Sequence, residues 1–249
     1  MSVLCIIPAR YASSRFPGKP LALLKGATGR SLSLIERSWR AANNVEVFDR
    51  VLVATDDTRI EEAARGFGAQ VAMTSADCQN GTERCAEVLA QLETWQPDIA
   101  VNLQGDAPLT PPWFLTALVE GLRNNPDFDV ATPVLRCDTG TLEAFKEDRR
   151  HGRVGGTTAV FDHAHRALYF SKEVIPFTAS HGAEAGATPV FHHVGVYAYR
   201  PAALAAYPKL KPGPLEKNEG LEQLRFLEHG HKILCVEVKA QGRQFWELN

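Results

Sequence analysis

The chain has 249 residues, 45% of them hydrophobic and 22% charged, which suits one sizeable globular α/β domain and excludes a disordered chain. Acidic residues outnumber basic ones by 29 to 27, and a formal charge of −2 predicts neither a nucleic-acid partner nor an anionic membrane surface. The five cysteines form no Cys-x-x-Cys pair, which favours reduced thiols in a cytoplasmic protein over disulfides or a zinc site.

The first half alternates apolar runs with segments that carry apolar residues at helical spacing. The predicted strands are residues 3–7, 51–54, 70–73 and 99–103, and the predicted helices are residues 31–42, 59–65, 82–92 and 111–122. This alternation predicts a Rossmann-like, mostly parallel sheet with helices on both faces, in which ligands lie beyond the carboxyl ends of the strands. The loops 9–20 and 104–108 are therefore the expected site.

The second half has a different pattern, which predicts a smaller, mixed-sheet lobe within a single domain. Strands are predicted at residues 158–161, 167–170, 193–199 and 232–238, and a helix at residues 221–227. Residues 180–188 are rich in Gly and Ala and are interpreted as a mobile loop.

The loop after the first strand carries Arg10, Arg15 and Lys19, together with Gly18 and small residues at 12–14. Backbone amides and cations in one loop suit a triphosphate, although the glycine spacing is not that of a Walker P-loop. A solvated basic loop fits the composition equally well.

Two further patterns have both a chemical and a structural interpretation. Asp106 follows a strand at the expected ligand edge, where a carboxylate could hold Mg²⁺ or simply cap a turn. Asn80 or Thr82 could be the N-cap of a helix, and a family resemblance implies that the same segment lines a ligand pocket.

With these motifs in view, the sequence resembles the CMP-Kdo synthetases, the 3-deoxy-manno-octulosonate (Kdo) cytidylyltransferases, in order along nearly the whole chain. The blocks that carry the resemblance are residues 8–20, 53–56, 80–84, 101–106, 167–172, 193–197, 214–216 and 221–225.

The resemblance implies a nucleotide-diphospho-sugar transferase-like fold and transfer of CMP from CTP to the anomeric hydroxyl of Kdo, with release of pyrophosphate. It also implies Mg²⁺ as cofactor and a homodimer. Residues 1–133 would form the nucleotide-binding core, and residues 134–249 the sugar-binding and dimerisation part.

The resemblance also assigns site residues. Those implied in catalysis are Arg15, Lys19 and Asp106, with Asp106 as the metal ligand. Those implied in nucleotide binding are Ala9, Arg10, Ser14, Arg15, Lys19, Asn80, Gly81, Arg84 and Gln104. Those implied in binding the sugar acid are Lys172, His193, Tyr197, Glu222 and Gln223.

The chain departs from the family pattern at several positions. Ala107 replaces the family's glutamate after the metal-binding aspartate, and Lys172 replaces an arginine. The family's C-terminal aspartate aligns with Asn249, the family's last helix is absent, and Glu247 is a candidate substitute ligand. Residues 152–158 replace a more hydrophobic run that carries a lysine.

These departures leave alternatives to Kdo activation open. The same chemistry could act on another ulosonic acid, such as an amino-Kdo or a sialic-acid-like sugar, or the chain could bind CTP with weakened catalysis. A glycosyltransferase is disfavoured, because the one Asp-x-Asp match, residues 127–129, precedes a strand instead of following one.

Overall fold

The computed structural model describes residues 1–12, 16–178 and 187–242. The strands are β1 Val3–Ala9, β2 Leu23–Lys25, β3 Ser31–Ser33, β4 Arg50–Thr55, β5 Gln70–Met73, β6 Ile99–Asn102, β7 Val130–Asp138, β8 Thr157–Phe161, β9 Ala167–Ser171, β10 Ala187–His193, β11 Tyr197–Tyr199 and β12 Ile233–Glu237. The helices are α1 Leu34–Asn43, α2 Thr58–Gly66, α3 Gly81–Ala90, α4 Pro112–Asn124, α5 Thr139–Arg150, α6 Pro201–Ala206, α7 Pro214–Glu219 and α8 Gln223–Glu228.

The first half forms the parallel part of one large sheet, as its alternating pattern predicts. Strands β5, β4, β1 and β6 lie side by side in that order, and each pairs in parallel with its neighbour. Because parallel strands share one carboxyl end, the loops that follow β1 and β6 meet at the same edge of the sheet.

The second half extends this sheet with strands of mixed direction. Strand β11 pairs antiparallel with β6 and β7, β12 runs parallel to β7, and β10, β8 and β9 follow as antiparallel neighbours. The large sheet and the mixed extension confirm the predicted fold class.

Helices cover both faces of the sheet, so its central strands are buried on both sides. One apolar cluster joins alternate residues of β1 to helices α1, α2 and α4, and the opposite cluster joins the remaining β1 residues to α3, α6 and α8. All seven residues of β1 are buried, which explains its continuous apolar sequence.

Local signals set several helix starts. The side chains of Ser33, Asp57 and Asn80 each accept a hydrogen bond from a backbone N–H in the first turn of α1, α2 and α3. These caps satisfy donors that have no partner inside the helix.

Several predicted elements are wrong in extent. Residues 31–33 were expected at the start of a helix but pair with β2, because Ser33 caps α1 and the helix begins only after it. Residues 193–199 are not one strand: the chain leaves the sheet between β10 and β11, where Val196 N donates to the carbonyl of Val194 at 2.7 Å.

One helix was not predicted, and one predicted loop is described only in part. Helix α5 was not predicted, because Leu142 and Phe145 are its only fully buried residues and give a weak periodic signal. Of the predicted mobile loop, Ala187 and Thr188 belong to β10, and residues 180–186 lie outside the described residues. No helix in the described part of the chain is long and apolar enough to cross a membrane.

Candidate active site

The loop after β1 folds back on itself through Tyr11 and Gly18. Gly18 N donates to the carbonyl of Tyr11 at 2.9 Å, and Gly18 has a φ of 71° in the left-handed region. A side chain at this position would also come within 3.0 Å of the Tyr11 ring, so glycine is required on both counts. The turn ends at Lys19, which begins a short 3₁₀ helix, Lys19–Leu21.

Lys19 and Asp106 meet across the edge of the sheet. Lys19 Nζ donates to Asp106 Oδ2 at 2.7 Å, and the two side chains are 39% and 49% exposed. Two loops separated by more than eighty residues thus bring a cation and a carboxylate together at the carboxyl ends of β1 and β6. Because this pair is open to solvent, it contributes only about 0–1 kcal/mol to stability.

Close backbone contact holds the Asp106 loop against β1. A Cβ on Gly105 would lie 2.7 Å from the carbonyl oxygen of Pro8, and the buried Ser38 Oγ donates to the Gly105 carbonyl at 2.8 Å. Glycine at 105 therefore permits the approach, and α1 fixes the loop from one side.

The start of α3 forms the next wall. Asn80 is the N-cap and accepts from Glu83 N at 2.9 Å. A Cβ on Gly81 would lie 3.3 Å from Gln104 Oε1 and 3.4 Å from Asn102 Nδ2, so α3 begins directly beside the end of β6. The predicted residues Asn80, Gly81 and Gln104 are thus brought together.

Arg84 has a different environment from the rest of this group. It is 3% exposed, its Nη2 lies 3.3 Å from Asp56 Oδ1, and its Nη1 donates to Thr74 Oγ1. Its guanidinium is therefore engaged inside the protein, and its predicted contact with nucleotide stays a prediction.

A second polar group lies on the same face of the sheet, between β10, β11 and α8. Tyr197 donates its hydroxyl to Gln223 Oε1 at 3.1 Å, and both side chains are buried. His193 lies beside Tyr197, with 5.7 Å between the ring centroids, so three of the five predicted sugar-binding residues are adjacent.

His193 is held in the neutral form. Its Nδ1 lies 2.9 Å from Thr157 Oγ1 and its Nε2 lies 3.1 Å from Thr132 Oγ1. Burial lowers the pKa of His193 to about 3, with a further contribution from His192. The imidazole is therefore uncharged at neutral pH and cannot serve as a fixed positive charge.

Glu222 precedes α8 and faces the start of α3. Its Oε2 lies 3.5 Å from Thr82 N, and burial raises its pKa, an effect opposed by the hydrogen bonds from Thr82. Lys172 lies at the end of β9, where its backbone N–H donates to Glu219 Oε2 at 2.8 Å. A Cβ on Gly220 would lie 3.0 Å from Lys172 Nζ, which places this ammonium group next to the turn after α7.

Asn102 is a buried polar residue that the sequence analysis did not assign. It is 0% exposed, and neither its Oδ1 nor its Nδ2 has a hydrogen-bond partner in the described residues. The available signal was a lone amide at the end of an otherwise apolar strand, Ile99–Asn102.

The remaining predicted site residues either lie at the end of β1 or fall outside the described residues. Ala9 is buried at the end of β1 and Arg10 is exposed directly after it. Ser14, Arg15, Glu247 and Asn249 lie outside the described residues.

Within residues 1–12, 16–178 and 187–242, no three His, Cys, Asp or Glu side chains cluster as a metal site would. Asp106, next to Lys19 at the carboxyl edge of the sheet, is a single carboxylate. One carboxylate fits Mg²⁺, which takes its other ligands from phosphate and water.

A parallel sheet with a cation–carboxylate pair at its carboxyl edge and a group of buried polar residues beside it is the arrangement expected of an α/β nucleotidyltransferase. The family model described as Cytidylyltransferase matches residues 4–233, and the chain therefore belongs to the cytidylyltransferase family.

Individual relatives agree along the whole length. The chain is 45% identical over 249 residues to a 3-deoxy-manno-octulosonate cytidylyltransferase of Maricaulis maris, covering 100% of this chain and 93% of that protein. It is 42% identical to an 8-amino-3,8-dideoxy-manno-octulosonate cytidylyltransferase of Shewanella piezotolerans, covering 94% and 89%. Among solved structures, a CMP:2-keto-3-deoxy-manno-octonic acid synthetase complexed with CTP superposes with a TM-score of 0.80 at 35% identity, covering 96% of this chain and 91% of that one.

Proposed function

We propose that this protein transfers CMP from CTP to the anomeric hydroxyl of Kdo and releases pyrophosphate. The observation that carries the proposal is the Lys19–Asp106 pair at the sheet edge, in a chain whose full-length relatives are named for this reaction. The Lys19 loop supplies positive charge where a triphosphate would bind, and Asp106 supplies the carboxylate.

In this reaction the sugar hydroxyl attacks the α-phosphorus of CTP, and the bond to the leaving pyrophosphate breaks. Most of the catalysis consists of positioning and charge neutralisation. Lys19 would neutralise the β- and γ-phosphates as a point charge, and Arg10 and Arg15, from the same loop, would add bidentate donors.

Asp106 is the proposed ligand of Mg²⁺, which when bound would offset negative charge on the phosphate oxygens. Lys19 and Asp106 would then exchange their mutual contact for phosphate and metal, and this costs little because the pair is exposed. Ala107 adds no second carboxylate here, so nucleotide phosphates would complete the metal's ligands; Asn249 and Glu247 remain candidate additional ligands.

The nucleotide would also lie against Ala9, Ser14, Asn80, Gly81, Arg84 and Gln104. The acceptor would lie against His193, Tyr197, Glu222 and Gln223, with Lys172 facing its carboxylate. In support, the end of β6 lies between the start of α3 and β11, so the two groups are neighbours in the fold. Residues 1–133 would form the nucleotide-binding core, and residues 134–249 would supply the acceptor residues named here and the dimerisation part.

We also propose that the protein is a homodimer in the cytoplasm. The exposed apolar side chains in the described part of the second half include Phe177 at 91% and Leu168 at 56% exposed, and these would suit a contact between copies.

The experiment is pyrophosphate release from CTP and Mg²⁺ with Kdo, with 8-amino-3,8-dideoxy-manno-octulosonate, and with no acceptor. Turnover with Kdo supports the proposal. Turnover with only the 8-amino sugar selects the second candidate, which the Shewanella relative favours. Calorimetric CTP binding without turnover on either acid, or on a sialic-acid-like sugar, would identify a binding protein and contradict the proposal.

A further inference from the structure

Asn102 has a buried polar side chain that is unusual for its place in the sheet. The other residues of β6, Ile99, Ala100 and Val101, are buried and apolar, as a central strand requires. Asn102 is equally buried, yet both of its amide atoms lack a partner within the described residues. An amide in this state is costly, and an apolar side chain of similar volume would be expected if packing were its only role.

A second unpartnered amide atom lies in the same region. Gln223 is 3% exposed, and its Oε1 accepts from the Tyr197 hydroxyl at 3.1 Å. That bond fixes the amide group of Gln223 and leaves its Nε2 as a buried donor without a partner in the described structure. Tyr197 is a neighbour of both amides: its hydroxyl donates to Gln223, and its backbone pairs with that of Asn102 across β6 and β11.

Asn102 also lies beside the start of α3. A Cβ on Gly81 would lie 3.4 Å from Asn102 Nδ2 and 3.3 Å from Gln104 Oε1. The unpartnered atoms of Asn102 therefore lie between the start of α3 and the Tyr197–Gln223 pair, next to the residues proposed to bind the substrates.

We propose that Asn102 is a specificity-determining residue for the acceptor, binding a sugar hydroxyl through both amide atoms while Gln223 Nε2 donates to a neighbouring oxygen. A hydroxyl both donates and accepts, which matches the donor and acceptor of one Asn side chain. The register pairing of Asn102 with Tyr197 places it beside the proposed acceptor residues, and separate KM values for the sugar acid and for CTP test this assignment against the neighbouring nucleotide residue Gly81. The inference rests on the proposed function and adds a residue to its acceptor site.

The test is Asn102→Leu, which keeps the number and branching of the side-chain heavy atoms and removes the amide. Since an unpartnered polar group is lost, the unfolding temperature of the ligand-free variant is expected to rise, while the KM for the sugar acid rises at least about 10-fold. The KM for CTP is expected to stay within about twofold of wild type.

Thr188→Val is the matched control. Thr188 is also buried, but its hydroxyl donates to the Cys137 carbonyl at 2.8 Å. Removing a partnered group is expected to lower the unfolding temperature and leave both KM values unchanged.

A fall in the unfolding temperature of Asn102→Leu would show that the amide has a structural partner and would overturn the proposal. An unchanged acceptor KM, or a rise in the CTP KM instead, would overturn it as well. If Asn102→Leu does not fold, Asn102→Ala tests the same kinetic split.

A binding measurement separates this inference from the proposed reaction. The sugar acid in the presence of CMP is expected to raise the unfolding temperature of wild type, and not that of either Asn102 variant. If wild type binds the acid but turns over no CTP, the proposed function fails and the assignment of Asn102 is still decided by the variants. Equal stabilisation of wild type and variants would overturn that assignment.

Discussion

The guanidinium of Arg59 lies 3.3 Å from the centroid of the Tyr11 ring, so helix α2 contacts the loop after β1 directly. Asp57, the N-cap of α2, orients this guanidinium through contacts of 2.9 Å to Nε and 2.6 Å to Nη2. The same bond lowers the pKa of Asp57. Since Tyr11 also receives the hydrogen bond from Gly18 N, the Arg59–Tyr11 contact supports the turn that presents Lys19.

Arg59→Ala is expected to raise the KM for CTP about 2- to 5-fold, the size of an exposed cation–π contact, with a smaller effect on the KM for the sugar acid. Arg65→Ala is the matched control: Arg65 lies on the same helix and pairs with Glu61 at 2.9 Å. Initial rates of pyrophosphate release at varied CTP provide the measurement. Equal KM values for CTP in the two variants would remove Arg59 from the support of the loop.

Lys19→Ala is expected to lower kcat/KM about 100-fold or more, because it removes a charge that would face the leaving pyrophosphate. The fold should persist, since Lys19 is 39% exposed and its bond to Asp106 contributes little to stability. The measurements are pyrophosphate release and urea unfolding, with Lys25→Ala, on the exposed β2, as the control. Wild-type turnover in Lys19→Ala would show that this ammonium group does not contact the triphosphate.

Asp106→Asn is expected to abolish Mg²⁺-supported turnover, because an amide oxygen carries no negative charge to hold a hard cation. Titration of the rate with Mg²⁺ measures the effect, and the exposed Asp127→Asn is the control. If Asp106→Asn kept the same half-saturating Mg²⁺ concentration as wild type, Asp106 would have no role in metal binding.

The buried histidines predict a pH dependence of stability. Burial, with a contribution from Arg149, lowers the pKa of His192 from 6.5 to about 4. Below pH 6.5 the unfolded chain binds a proton that the folded protein excludes, so stability is complete above this pH and is lost as the pH falls. Each such histidine contributes a slope of about 1.4 kcal/mol per pH unit in the window between its folded and unfolded pKa values.

His192→Leu is therefore expected to reduce the loss of unfolding free energy between pH 6 and pH 5 by about 1 kcal/mol. The measurement is urea unfolding at several pH values. His163→Gln, at an exposed position, is the control and should retain the wild-type slope. An unchanged slope in His192→Leu would mean that His192 is protonated in the folded protein.

Much of the fold follows from local sequence patterns. Short apolar runs predicted β1, β4, β5 and β6 within two residues at each end. In β1 and β6 this is because a strand buried on both faces admits few other residues, whereas β5 is a half-exposed edge strand. The split between β10 and β11 was not predictable, because Val194 and Val196 are as suited to a strand as their neighbours. It arises from tertiary contacts, in which Thr132 Oγ1 donates to both of their carbonyls, at 3.2 and 3.0 Å.

In the candidate site, too, some features could be predicted from the sequence and others could not. The loops after β1 and β6 were predicted to meet, and the structure brings their residues Lys19 and Asp106 to 2.7 Å at the shared carboxyl edge. Their roles in the site come from the family resemblance and stay predictions. Asn102 and Arg59 were not identified. Asn102 is notable because its amide atoms lack hydrogen-bond partners in the described residues, and Arg59 because it contacts Tyr11, 48 positions earlier in the chain. Neither feature produces a pattern among neighbouring residues in the sequence.

The most direct test of the central claim is a crystal structure of the protein with CTP and Mg²⁺. The expected result is a triphosphate at the carboxyl edge of β1 and β6, with Lys19 Nζ moved from Asp106 to a phosphate oxygen and Asp106 on the metal. A nucleotide bound elsewhere, or one bound here with the 2.7 Å Lys19–Asp106 contact intact, would contradict it.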